Sequence, residues 1–159
     1  MKINIIFKSL MLFTLSCVFA FSTIALADDL TGEFKYDGKV VKVSIGDIAT
    51  NEKGKTILTL LVDTDLTFNY DTKTSSGPAA LEQISKVIKL KIENNGKTYE
   101  PESTTAKLLL QRGPSGGLVF GFESVDYILE SDAVPAKIIV FNDQGVNIVF
   151  DGKTKKIIK

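Results

Sequence analysis

The chain has 159 residues, with 19 Lys and Arg against 19 Asp and Glu, a single Cys and no His. That balance excludes the basic excess by which nucleic-acid binders displace counterions from phosphates, and it offers no polybasic handle for an anionic membrane. Without His there is no Ser-His-Asp or Cys-His catalysis, no His-ligated zinc and no imidazole base near neutral pH.

The first element in chain order is an export leader. Lys2 and Lys8 form a short positive region, Ser9 to Ile24 are nearly all apolar or small, and Ala25-Leu26-Ala27 supplies the small-x-small pattern of signal peptidase. Composition changes abruptly at Asp28-Asp29, which predicts cleavage between Ala27 and Asp28. The apolar run falls short of the roughly 20 residues a spanning helix needs, and no stop-transfer pattern comes after it. Cys17 precedes Val18-Phe19-Ala20-Phe21 where a lipidated Cys would precede a polar tether, so it belongs to the hydrophobic core of the leader. The predicted mature chain, 28–159, is one domain with 17 basic and 19 acidic residues and no cysteine. It is expected to be held by its core alone, with no disulfide and no cofactor.

Period-2 alternation dominates the predicted mature chain. Val41, Val43 and Ile45 share one face of 39–48, against Lys42 and Ser44. Residues 56–70 form the longest run, with Leu58, Leu60, Val62, Leu66, Phe68 and Tyr70 on one parity. It is expected to be one bent strand, or two broken near Asp63-Thr64-Asp65, with its first half central in a sheet. Residues 75–85 give the one helical pattern, with Ser76 as cap and Pro78 in the first turn, leading into a strand over 86–93. There Ile88, Leu90 and Ile92 alternate with Lys89, Lys91 and Glu93. Asn94-Asn95-Gly96-Lys97 predicts a type I′ hairpin, and Asp37-Gly38, 51–54, Asp143-Gln144-Gly145 and Asp151-Gly152 predict further turns. Later strands are expected over 117–123, on Leu118, Phe120 and Phe122, and over 145–151, on Val146, Ile148 and Phe150.

Eight or nine short strands with turns about every ten residues predict an all-β fold, an antiparallel β-sandwich with at most one short helix. A small closed β-barrel is the alternative.

Three features could carry chemistry. Asp63-Thr64-Asp65 places two carboxylates on one strand face, which suits part of a calcium site or a glycosidase pair, or a plain solvated face. The stretch Gln111-Arg112-Gly113-Pro114-Ser115-Gly116-Gly117 could bring amides and the Arg112 guanidinium to an anion. It leads into a strand, where a phosphate loop would need Gly-Lys-Ser/Thr and a helix, so a hairpin loop is the simpler expectation. Arg112, Gly113, Ser115 and Gly116 are the candidate binding residues. Phe34, Tyr36, Tyr70, Tyr99 and Tyr127 are aromatics that would form a patch only if the fold gathered them.

The strand Ile88-Lys89-Leu90-Lys91-Ile92-Glu93-Asn94, the return Gly96-Lys97-Thr98-Tyr99-Glu100-Pro101 and the glycine-rich turn into Gly117-Leu118-Val119-Phe120-Gly121-Phe122 resemble a known group. They look like the immunoglobulin-like sandwich domains of small exported bacterial proteins of the secreted immunoprotective-antigen type. The resemblance implies an immunoglobulin-like fold and a binding or surface role, and carries no catalytic residues. The expectation is a non-enzymatic binding module of the periplasm, envelope or medium, with a protein or glycan partner and no nucleic acid or membrane span. The alternatives are a carboxylate-dependent hydrolase on Asp63 and Asp65 and a structural envelope or adhesin subunit.

Overall fold

The computed structural model describes residues 29–70, 77–130 and 133–158. The leader with Ala25, Ala27 and Asp28, and the Ser76 cap, lie outside the described residues. Where Ile, Val, Leu and Phe alternate with polar residues, the backbone is extended and one side of each strand is buried. In chain order the elements are β1 (Thr31–Tyr36), β2 (Lys39–Thr50), β3 (Thr56–Thr64), β4 (Phe68–Asn69), α1 (Gly77–Val87), β5 (Lys89–Asn94), β6 (Lys97–Tyr99), β7 (Ser103–Arg112), β8 (Leu118–Ile128), β9 (Lys137–Phe141) and β10 (Asn147–Asp151).

They form two antiparallel sheets, which excludes a closed barrel among the described residues. One sheet runs β1-β2-β3-β8, and the other runs β10-β9-β5-β6. β8 is long enough to serve two strands on one side: β3 along Ser124–Ile128 and β4 at Val119 and Phe120. β7 lines its other side over the full length. The core lies between the sheets, with Val41, Val43, Leu58, Leu60, Val125 and Tyr127 from one and Leu90, Ile92, Ile138, Val140 and Phe150 from the other.

The turns obey their sequence signals. Asn95 and Gly96 both have positive φ (51° and 73°), as do Asp37 and Gly38 (47° and 73°), so β5–β6 and β1–β2 are closed by two-residue I′ turns. Asn51 shapes the β2–β3 turn, its Oδ1 accepting from the amides of Lys53 and Lys55 at 2.9 and 3.0 Å.

Residues 56–70 break into β3 and β4 across Asp65-Leu66-Thr67, the two-strand alternative expected near Asp63-Thr64-Asp65, and β3 is central, between β2 and β8. The helix boundary differs from expectation. The helix runs two residues past the expected end at Ser85, and the next strand starts at Lys89, not at 86. Ala80, Ile84 and Val87 fall at helical spacing and are all buried, so Val87 extends the helix's apolar face before Ile88 begins the strand's.

Buried Asn142 joins the helix end to the β9–β10 turn. Its Nδ2 donates to the Val87 carbonyl at 3.1 Å, and its Oδ1 accepts from the amides of Gln144 and Val146 at 2.9 and 3.2 Å. Removing the side chain strips the Val87 carbonyl and both amides of a buried partner. We expect Asn142→Ala to lower the unfolding free energy by about 1–3 kcal/mol, read from urea denaturation at unchanged m-value.

The C-terminal residues fold back along the second sheet. The Ile158 amide donates to the Val149 carbonyl at 2.8 Å, Phe150 bridges Ile157, and the Ile157 amide donates to the Asp29 carbonyl at 2.6 Å. Asp151 starts this return, its Oδ1 accepting from the Thr154 amide and hydroxyl at 2.7 and 2.9 Å. Those bonds from Thr154, the backbone one first, hold the Asp151 carboxyl below the usual carboxylate range.

Candidate functional site

Among the described residues the strand edges are unequal, and β4 pairs through only two residues. The C-terminal return covers β10, β6 has only three residues, and β1 presents exposed Glu33 and Lys35. β7 is the long edge. Its ten residues pair with β8 alone, and among the described residues no other backbone hydrogen bond reaches them. The pairing shifts register once, where Lys107 faces Ser124 and Leu108 faces Phe122, so Glu123 is the extra residue of a bulge in β8. That bulge resets the phase of β8, so Phe120 and Phe122 before it and Val125 and Tyr127 after it all point inward. β7 stays regular.

The far half of β7 carries the most exposed apolar surface of the hairpin. Leu110 is 58% exposed, and Leu109 and Leu118 are 45% exposed. By register, Leu110 pairs with Phe120, which pairs on its other side with Phe68. Arg112 pairs with Leu118, whose carbonyl accepts from the Tyr70 amide at 2.9 Å. Leu110, Arg112 and Leu118 therefore lie on the face that also carries the aromatic group Phe68, Tyr70 and Phe120. Phe68 and Phe120 are 5.3 Å apart, and the Tyr70 ring meets Phe120 edge-on at 6.3 Å.

Arg112 and its loop sit at the tip. Arg112 is exposed as the last residue of β7 and makes no ion pair among the described residues, whereas Lys107 on the same strand pairs with Glu123. The loop proper is Gly113 to Gly117. The Gly113 amide donates to the Gly117 carbonyl at 2.8 Å and the Gly116 amide to the Gly113 carbonyl at 2.9 Å. Pro114 has no amide, so the cradle expected from Gly113 and Gly116 is largely committed to the loop's own turn. Gly113 is required by space, since a Cβ there would come within 2.9 Å of Val119 Cγ1, and Gly116 by its φ of 81°. Exposed Ser115 lies at the apex.

Asp63 and Asp65 are both exposed and sit beside a hollow shared with Glu33 and Lys42. Register places Glu33 opposite Lys42 and Lys42 opposite Asp63, a row of alternating charge across three strands. Such a row stabilises a sheet face and accounts for Asp63 without a catalytic role. Among the described residues no group of three or more Cys, Asp or Glu is placed to hold a metal ion. The five aromatics are dispersed: Tyr127 is in the core, Tyr99 is exposed on β6, and Phe34 and Tyr36 lie on β1.

What remains as a site is the open β7 edge with its leucines and Arg112. No family model, curated protein or solved structure matches this chain. No helix among the described residues is long and apolar enough to cross a membrane.

That at least one leucine of β7 is exposed was within reach of the sequence. Three consecutive leucines, 108–110, cannot share one face of a strand, so at least one must point away from a core.

Proposed function

We propose that this chain is an exported, non-enzymatic binding module acting outside the cytoplasm, and that it recruits an extended segment of a protein partner to the outer edge of β7. The immunoglobulin-like kinship drawn from the sequence belongs to the same proposal. One observation carries it: β7 is a regular ten-residue edge with no strand on its outer side among the described residues, and it carries exposed Leu109 and Leu110 beside exposed Leu118 of β8. Such an edge invites strand addition, in which main-chain hydrogen bonds bind and alternate side chains select. Arg112 favours a partner with a carboxylate beside its apolar residues.

The test is cross-linking in envelope and culture-medium fractions of the source organism, with cross-links mapped by mass spectrometry. A partner cross-linked through Lys107, and lost on the exposed substitution Leu110→Glu at unchanged stability, is the expected result. Cross-links that avoid β7, or a partner retained by Leu110→Glu, would overturn the proposal.

A further inference from the structure

A second region of the molecule has the features of a small-molecule site. Where α1 closes over the side of the sandwich, a groove of about 420 Å³ lies between the helix, β5, the connector at Glu100-Pro101 and the start of β7. That volume is in the range of small-ligand pockets and too small for a docked helix. Ile84, Ile88, Leu90 and Val125, all buried residues, line it together with Tyr127.

Tyr127 is the unusual member. The residue is only 3% exposed, yet its hydroxyl makes no hydrogen bond among the described residues. Among the described residues Thr56 Oγ1 is the one fully buried side-chain polar atom without a hydrogen-bond partner, so the Tyr127 hydroxyl is not sealed off and keeps access to solvent beside the groove that the residue lines. Burial pushes the Tyr127 hydroxyl well above the usual phenol value, so it stays a neutral donor across the physiological range.

The rim is acidic. The carboxylate of Glu100 makes no ion pair among the described residues, and Glu82 reaches Lys86 only at 3.8 Å. The one lysine on the rim, Lys89, is held by Asp143 at 2.7 Å. The charge at the mouth without an ion pair among the described residues is therefore the Glu100 carboxylate, while the lining offers apolar walls and the hydroxyls of Tyr127, Thr104 and Ser85, the last of which donates to the Glu82 carbonyl.

We propose that this groove binds a small organic cation: an apolar or aromatic body against Ile84, Leu90 and Val125, a polar oxygen accepting from the Tyr127 hydroxyl, and an ammonium facing Glu100. This inference is independent of the β7 edge.

Three probes separate its parts. Tyramine has the ring, the oxygen and the ammonium; phenethylamine lacks the oxygen; 3-(4-hydroxyphenyl)propionate replaces the cation by an anion. Each is titrated into the isotopically labelled protein and followed by NMR at Tyr127, Thr104 and Glu100. Tyramine is expected to bind most tightly. Tyr127→Phe should weaken tyramine about threefold to tenfold while leaving phenethylamine unchanged. Glu100→Gln should remove the preference for tyramine over the acid. Ser85→Trp, on the half-buried helix side of the groove, should abolish binding of all three at unchanged melting temperature. The proposal is overturned if millimolar tyramine moves none of these resonances, if the acid binds as tightly as tyramine, or if Tyr127→Phe affects both amines alike. A groove that instead buries a second copy of the chain, seen as a dimer disrupted by Ser85→Trp, would overturn it equally.

Discussion

Gly152→Ala is expected to destabilise the fold by about 3 kcal/mol or more, among the largest effects available to a single methyl group. Gly152 is buried just past β10, and a Cβ there would lie 1.7 Å from the Pro135 carbonyl oxygen and 2.7 Å from its carbon. The obstacle is backbone, and the Gly152 amide donates to the neighbouring Ala136 carbonyl at 3.1 Å, so neither strand can retreat without losing that bond. Gly145→Ala is the control. Gly145 has φ 88° and nothing within 4 Å of the added atom, so its cost is the left-handed backbone alone, about 1–2 kcal/mol. Urea denaturation of both variants measures the difference. Equal losses would mean that Pro135 does not lie against Gly152 as described.

The second large effect is expected at Phe120, where alanine should remove about 3–5 kcal/mol. Phe120 is 1% exposed and is the residue through which β8 holds β4, facing Phe68 in register and packing on Tyr70. β4 pairs through only two residues, so ring packing rather than the ladder secures it. Phe120→Ala should therefore also abolish hydrogen-exchange protection at Tyr70, whose amide bonds to Leu118, before β2 and β3 open. Phe120→Leu, which keeps most of the volume, should lose less than about 1.5 kcal/mol. A Phe120→Ala loss near that smaller figure would show that the aromatic group is not what anchors β4.

Much of the fold was legible because burial imposes parity. In β2, β3 and β5 the inward residues are those the alternation selects, since one face of each meets the opposite sheet. The I′ hairpin at Asn95-Gly96 was legible for a local reason, its need for two positive φ values. β7 was not. Its burial alternates over Ser103 to Leu108, on the small side chains Thr104 and Ala106 as well as Leu108, and then Leu109 to Arg112 are all exposed, because an edge strand that runs on past the core has little to bury at its far end. β1 was missed for a related reason: its six residues bury only Gly32. The bulge at Glu123 hid the second half of β8 by shifting its phase. Of the site, Arg112 and its loop were found from composition, but an alternation argument cannot tell that Leu110 is bare or that the Tyr127 hydroxyl has no partner. Both depend on which strands stop short, a non-local property.

The clasp between the Ile157 amide and the Asp29 carbonyl imposes an order of events on the growing chain. The Asp29 carbonyl is engaged by a residue more than a hundred positions further along the chain, so this contact cannot form until that residue has been made. Until Thr154 to Ile158 arrive, the β10 edge is as open as β7, and the molecule has two sides to which a stray strand can add. A chain truncated before Thr154 would keep nearly all of the buried core but leave that side of β10 uncovered. Thr154 to Ile158, which contribute little to the core, thus set how many open strand edges the described sandwich presents.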